Sequence, residues 1–184
     1  MPRTRILKPE EMLEAARQQN AGEVPKPARH PLVLSFEVTW RTEDDKKFMQ
    51  STEWKNTRKA VLIRDDHTCS YCGYITDNTR FLHVHHVDGN PRNNNFNNLE
   101  TICNHCHMIQ HSGLWATIYS TMDIYEKATV SQVEVIQITR EMRNQGKTDE
   151  EIIKLIGLED KTLWKQDHDY LKNKIGFVTS RKAL

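Results

Sequence analysis

Apolar and polar positions follow several different rhythms along the chain. In LVLSFEVTW, residues 32–40, Leu34, Phe36, Val38 and Trp40 alternate with Val33, Ser35, Glu37 and Thr39, and this period of two predicts a strand. Between Glu43 and Arg64 the interval lengthens: Trp54, Arg58, Val61 and Leu62 recur at helical spacing and predict a helix with one inward stripe. Ahead of both, Pro9 to Gln19 fits a short helix with proline at an early turn. Pro25, Pro27 and Pro31 then favour an extended linker, so residues 1–31 are expected to be a loosely ordered extension. From Phe81 to His111 the chain reads FLHVHHVDGNPRNNNFNNLETICNHCHMIQH. Phe81, Leu82, Val84 and Val87 predict a strand, Asp88 to Pro91 break it, and an Asn-rich loop runs to Asn98. Leu99 to Ile102 predicts a short return strand, and a helix starts near Cys103.

Beyond residue 118 the signals are helical. Ser131 with Glu134 and Thr148 with Glu151 fit capping boxes, Asp160 precedes another helical run, and Gly146, Gly157 and Gly176 stand where helices should stop. The stretch VIQITREMRNQGKTDEEIIKLIGL resembles a helix-turn-helix, with a further helix in KTLWKQDHDYLKNKIG; a plain helical hairpin used for packing or dimerisation has the same pattern. The expected architecture is α+β: an extension over 1–31, a central module over 32–118 with flanking helices, and a helical C-terminal region over 119–184.

Composition adds limits. Of 184 residues 37% are apolar and 28% charged, with mean hydropathy −0.73, so the core is modest. No apolar run approaches the roughly 18 residues that span a membrane, and MPRTRILKPEEM lacks the apolar stretch of a secretory signal. A soluble, intracellular (cytoplasmic) protein without a membrane partner is expected. Lys plus Arg number 26 against 25 Asp plus Glu, which excludes a histone-like polycation. All four Cys and seven of nine His fall between residues 67 and 111.

Cys69-x2-Cys72 and Cys103-x2-Cys106 are two knuckles whose four thiolates can surround one tetrahedral zinc. Four sulfur ligands leave no open position for water, so this metal should hold structure and not catalyse. The histidines suit a second task. His107 and His111, four residues apart on the predicted helix, can chelate one ion. A third ligand is needed, and His85 and His86 end a strand where adjacent side chains point apart. One of the two can hold a cation while the other stays free as a base for water.

His-His, then Asn before Leu, then Cys-x2-Cys-His-x3-His together resemble the HNH nuclease family, with its ββα-metal site and its variants that add a four-cysteine zinc. The similarity covers about residues 54–115, including the lead-in RDDHTCSYCG. It implies metal ligation by His85, His107 and His111, His86 as general base, and Asn98 as the residue that steadies the loop and the base. Many family members carry Asp where His85 stands. The softer all-histidine set would accept Zn2+, Ni2+, Co2+ or Mn2+ as readily as Mg2+. His67, His83 and His105 fall outside this chemistry.

The resemblance implies a DNA endonuclease leaving 5′-phosphate and 3′-hydroxyl ends, with double-strand cleavage requiring a homodimer or sequential nicks. Restriction, phage or mobile-element, packaging and repair nucleases fit it alike. Arg92, Arg64, Lys59 and Arg58 are candidate phosphate contacts, though for any one of them taken singly a solvated surface charge is the favoured reading. The competing class is a non-catalytic, zinc-stabilised nucleic-acid-binding or assembly subunit on an HNH scaffold.

Overall fold

Pro9 opens the first helix, α1 (Pro9–Gln19), at a position where a missing amide hydrogen goes unnoticed. In the computed structural model, which describes residues 5–36 and 41–181, this helix is docked and not loose. It buries Leu13 and Ala16 and packs on the later helix over Thr52–Arg64. The chain on either side of it is held as well: Asn56 Nδ2 donates to Leu7 O at 2.8 Å, and Lys26 Nζ lies 3.1 Å from Asp65 Oδ1. Residues 5–29 with 41–102 form one unit, and residues 30–36 with 103–181 form another. The first unit takes in the segment expected to be an extension.

The single helix expected over 43–64 is two. Thr42 and Ser51 both sit in extended backbone, and each hydroxyl accepts an amide three residues on, which starts α2 (Glu43–Met49) and then α3 (Thr52–Arg64). Trp54, Val61 and Leu62 are buried as the spacing predicts. Arg58 reaches across to donate to Thr79 O at 2.8 Å and Leu82 O at 3.0 Å. At the end of α3, Arg64 forms a two-point pair with Asp65 (2.9 and 2.8 Å) and also donates to Pro25 O, Phe96 O and Leu99 O. Its side chain is 3% exposed. Arg64 therefore cannot serve as a phosphate contact, and Arg58 spends its guanidinium on backbone carbonyls.

Burial alone would raise the Asp65 pKa, but Arg64, the Thr101 amide and Lys26 outweigh it and hold the carboxyl below its ordinary 3.8. A depressed carboxylate contributes stability that is fully present above the unfolded value and lost as pH falls through the folded one. The network should hold at neutral pH and fail only below 3.8. Arg64→Ala leaves buried Asp65 with only Lys26 and the Thr101 amide and takes the guanidinium from three carbonyls, and should cost about 3–5 kcal/mol, read as a lower urea midpoint at unchanged slope.

The two strands follow as expected: β1 (Leu82–His86) pairs with β2 (Leu99–Cys103), and Val87 N donates to Asn98 O at 2.9 Å beyond the pair. Helix α4 (Asn104–Gln110) comes next. The strand predicted over 32–40 is not formed by residues 32–36, and Glu37 to Trp40 lie outside the described residues. Instead the Ser35 carbonyl accepts from the Ser112 hydroxyl (2.7 Å) and the Trp164 indole (3.2 Å) within the second unit.

After one π turn at Leu114–Ile118, the C-terminal region departs from the helical expectation. Strand β3 (Met122–Lys127) lies between β4 (Glu159–Thr162) and β5 (Ile175–Val178) in an antiparallel sheet. The capping boxes do start α5 (Gln132–Asn144) and α6 (Asp149–Leu155), which with α7 (His168–Leu171) complete the unit. Asp160 starts no helix: it sits in β4 at φ +57, with its carboxylate 2.9 Å from Lys127 Nζ. Gly176 stops none either. It lies in β5 because a Cβ there would come within 2.7 Å of Ile109 and 2.8 Å of Leu34. The core of the unit is Tyr125, Val135, Ile152, Ile156, Leu158 and Phe177. No helix among the described residues is long and apolar enough to cross a membrane.

Candidate functional site

Backbone bonds shape the first knuckle. Cys69 N donates to Tyr74 O at 2.8 Å and Gly73 N to Cys69 O at 3.0 Å, with Gly73 at φ +71 turning the chain just after Cys72. Both the amide and the hydroxyl of Ser70 donate to Thr101 O, which holds this knuckle against β2. The second knuckle is the β2–α4 junction. The ligand atoms of Cys69, Cys72, Cys103 and Cys106 all lie within 4.8 Å of one another, and among the described residues this is the one such group of three or more His, Cys, Asp or Glu. Sulfurs around a tetrahedral zinc stand about 3.8 Å apart, so small movements suffice to close on an ion. All four are buried and none forms a disulfide. Arg140 Nη2 stands 3.2 Å from Cys103 Sγ, a contact that favours thiolate.

At the end of β1, His85 and His86 meet different surroundings, as the alternation of a strand requires. His85 Nδ1 is 3.2 Å from Oε1 of Glu100, a buried residue of β2. The His86 ring stacks on Trp54 of α3, with centroids 5.2 Å apart and planes at 18°. Its Nε2 stands 3.0 Å from Asn94 Oδ1. An amide oxygen only accepts, so the proton of neutral His86 sits on Nε2 and the lone pair on Nδ1. Burial, with His85 and Arg41 nearby, lowers the His86 pKa against the opposing pull of Asn94 and Asp88.

Asn98, buried at the foot of the loop, acts on the loop itself. Its Nδ2 donates to Asp88 Oδ1 and Asn93 O, each at 2.9 Å, and its Oδ1 accepts from Asp88 N at 3.0 Å. The loop so pinned presents Asn94 to His86. Burial would raise the Asp88 pKa, yet hydrogen bonds from Asn93, Asn90 and Asn98 turn the shift downward, so the loop is organised around a carboxylate. On α4, His107 and the capping residue His111 sit edge to face with ring centroids 4.6 Å apart, and among the described residues no group of three or more ligand atoms mutually within 4.8 Å includes them or His85.

Several contributors carry no sequence signal. Glu100 in LETIC looks like a solvated charge, Tyr71 like a knuckle filler, and Asn94 like one amide among five. His105, outside this chemistry by its position in the sequence, is 1% exposed, with Nδ1 3.5 Å from Arg140 Nη2, and lies in the interior of its unit. Arg92 keeps a 54% exposed side chain while its Nε donates to Asp45 at 2.9 Å. Lys59 is exposed on α3.

Comparison with known proteins meets this geometry in the same stretch. Residues 69–113 match the family model HNH endonuclease. A segment of 67 residues is 33% identical to the Zorya protein ZorE of Escherichia coli (Crooks strain), covering 35% of this chain and 18% of the length of that relative. The matched family span contains both knuckles, both strands, the Asn-rich loop and His111.

Proposed function

We propose, from the membership of residues 69–113 in the HNH endonuclease family, that the protein is a metal-dependent endonuclease hydrolysing DNA phosphodiester bonds. The observation that carries this is His86: a buried imidazole held neutral, with Nε2 committed to Asn94 and Nδ1 left to accept a proton. Water gives its proton to that Nδ1 as its oxygen attacks phosphorus in line with the leaving 3′ oxygen. Trp54 and Asn94 fix the ring so that it need not be oriented during the reaction. Asn98 keeps the loop bearing Asn94 in place.

His85, His107 and His111 are the residues assigned to hold the catalytic ion, and Cys69, Cys72, Cys103 and Cys106 those for a structural zinc. The bound divalent ion supplies positive charge for the phosphate and its leaving oxygen. An imidazole set admits Mg2+, Mn2+, Ni2+, Co2+ or Zn2+. Lys59 and Arg92 are the basic side chains left for phosphate contact once Arg58 and Arg64 are committed to the fold. Helix α6 makes a poor groove reader, because its first turn carries Asp149, Glu150 and Glu151, which repel phosphate.

The test is cleavage of supercoiled plasmid with each of the five metals, followed by mapping of the ends. Nicked or linear product with 5′-phosphate ends is expected. Intact plasmid with all five would leave the non-catalytic scaffold as the better account.

A further inference from the structure

On the strength of that active-site assignment, we infer that Glu100 is a positioning residue for His85, linked through Tyr71 to the first cysteine knuckle. The three side chains form one chain of hydrogen bonds: Tyr71 Oη donates to Glu100 Oε1 at 3.1 Å, and the same oxygen lies 3.2 Å from His85 Nδ1. Glu100 and His85 are both buried, at 6% and 9% exposure. A carboxylate cannot donate, so the proton between them belongs to His85 Nδ1, and Nε2 is the nitrogen left with a lone pair for a metal.

Two consequences follow from that arrangement. The imidazole is held in one tautomer and one orientation before any ion arrives, so less conformational freedom is lost on binding. The carboxylate behind it also makes the ring a stronger electron donor, which offsets part of what the site forgoes by having His where many family members carry Asp. Tyr71 stands between Cys69 and Cys72, so its hydroxyl sets Glu100 only while the knuckle is folded. A structural zinc at the knuckle would thereby support a catalytic ligand 13 residues beyond Cys72 without touching it.

Mn2+ binding to the zinc-loaded full-length protein, measured by titration calorimetry and by the electron paramagnetic resonance of free Mn2+, tests this without reference to cleavage. Glu100→Gln should weaken Mn2+ about 10–100-fold, and Tyr71→Phe, which deletes one hydrogen bond to the Glu100 carboxylate, about fivefold. Zinc content and melting temperature should stay at wild-type values in both. Cleavage lost by Glu100→Gln at limiting Mn2+ should return as Mn2+ is raised, a split that a merely structural defect does not produce. Wild-type Mn2+ affinity in Glu100→Gln, alongside loss of binding in His85→Ala, overturns the role of Glu100 while leaving the active-site assignment standing. Wild-type affinity in His85→Ala itself removes His85 as a ligand, and the inference falls with it. Should Glu100→Gln not fold, Tyr71→Phe decides the matter: unchanged Mn2+ affinity there overturns the linkage.

Discussion

Chelating the metal of the cysteine group, or replacing Cys106 by Ser, is expected to unfold the centre of the chain and not merely to silence it. Structural zinc binding is worth about 10–16 kcal/mol in small zinc domains, whereas a whole domain is usually stable by only about 5–15 kcal/mol. Cys106 is fully buried and the other three cysteines nearly so, and without an ion they are small weak hydrogen-bonding groups packed within 4.8 Å of each other. Arg140 would be left facing a thiol in place of a thiolate. Elemental analysis should find one tightly held zinc per chain. EDTA should remove it slowly, with collapse of the melting transition and of the near-ultraviolet signal of Trp54. The same zinc should persist in a His107→Ala, His111→Ala double variant, since those imidazoles are assigned to a different ion. A chelated protein that melts within about 2 °C of the untreated one would show that the four cysteines are a structural group without a structural metal.

The elements around this centre could be foreseen because local rules decide them. Knuckle spacing, a strand ending in His-His, a Gly-containing turn and a return strand are all written within about 45 residues, and Ser131–Glu134 and Thr148–Glu151 place helix starts by chemistry that needs no partner. What sequence hides is pairing at a distance. β4 and β5 take their identity from β3, more than 30 residues earlier, so EDKT and IGFV carry too little period of their own. Ser51 breaks the helix over 43–64 through a single hydroxyl. The candidate site divides the same way. His85, His86, Asn98, His107 and His111 stand out by type and spacing, while Glu100, Tyr71, Trp54 and Asn94 gain their roles only from which ring each one faces. Arg64 shows the reverse error: a charge that sequence offers to phosphate is used up by Asp65 and three backbone carbonyls.

His86→Ala should lower the cleavage rate by about 10²–10⁴-fold while leaving Mn2+ affinity and zinc content in place, because the role proposed for the ring is to serve the water and not the ion. The size of the effect follows from how completely the ring is prepared. Trp54 covers one face at 5.2 Å, Asn94 holds Nε2 at 3.0 Å, and a lone pair on Nδ1 is what remains. Asn94→Ala should cost less, since it frees the ring to choose its tautomer without removing the base. The pH dependence has a definite sign. A general base works in its neutral form, so the rate rises with pH through the pKa and then levels. Burial depresses that pKa below the ordinary 6.5, with His85 and Arg41 adding to the effect against Asn94 and Asp88. A cation in the neighbouring site pushes the same way. The acid limb of the profile should therefore have unit slope and a midpoint below 6.5, and the limb should vanish along with the activity in His86→Ala. A midpoint above 6.5, or a His86→Ala variant that cleaves plasmid at the wild-type rate, would assign the base to another group.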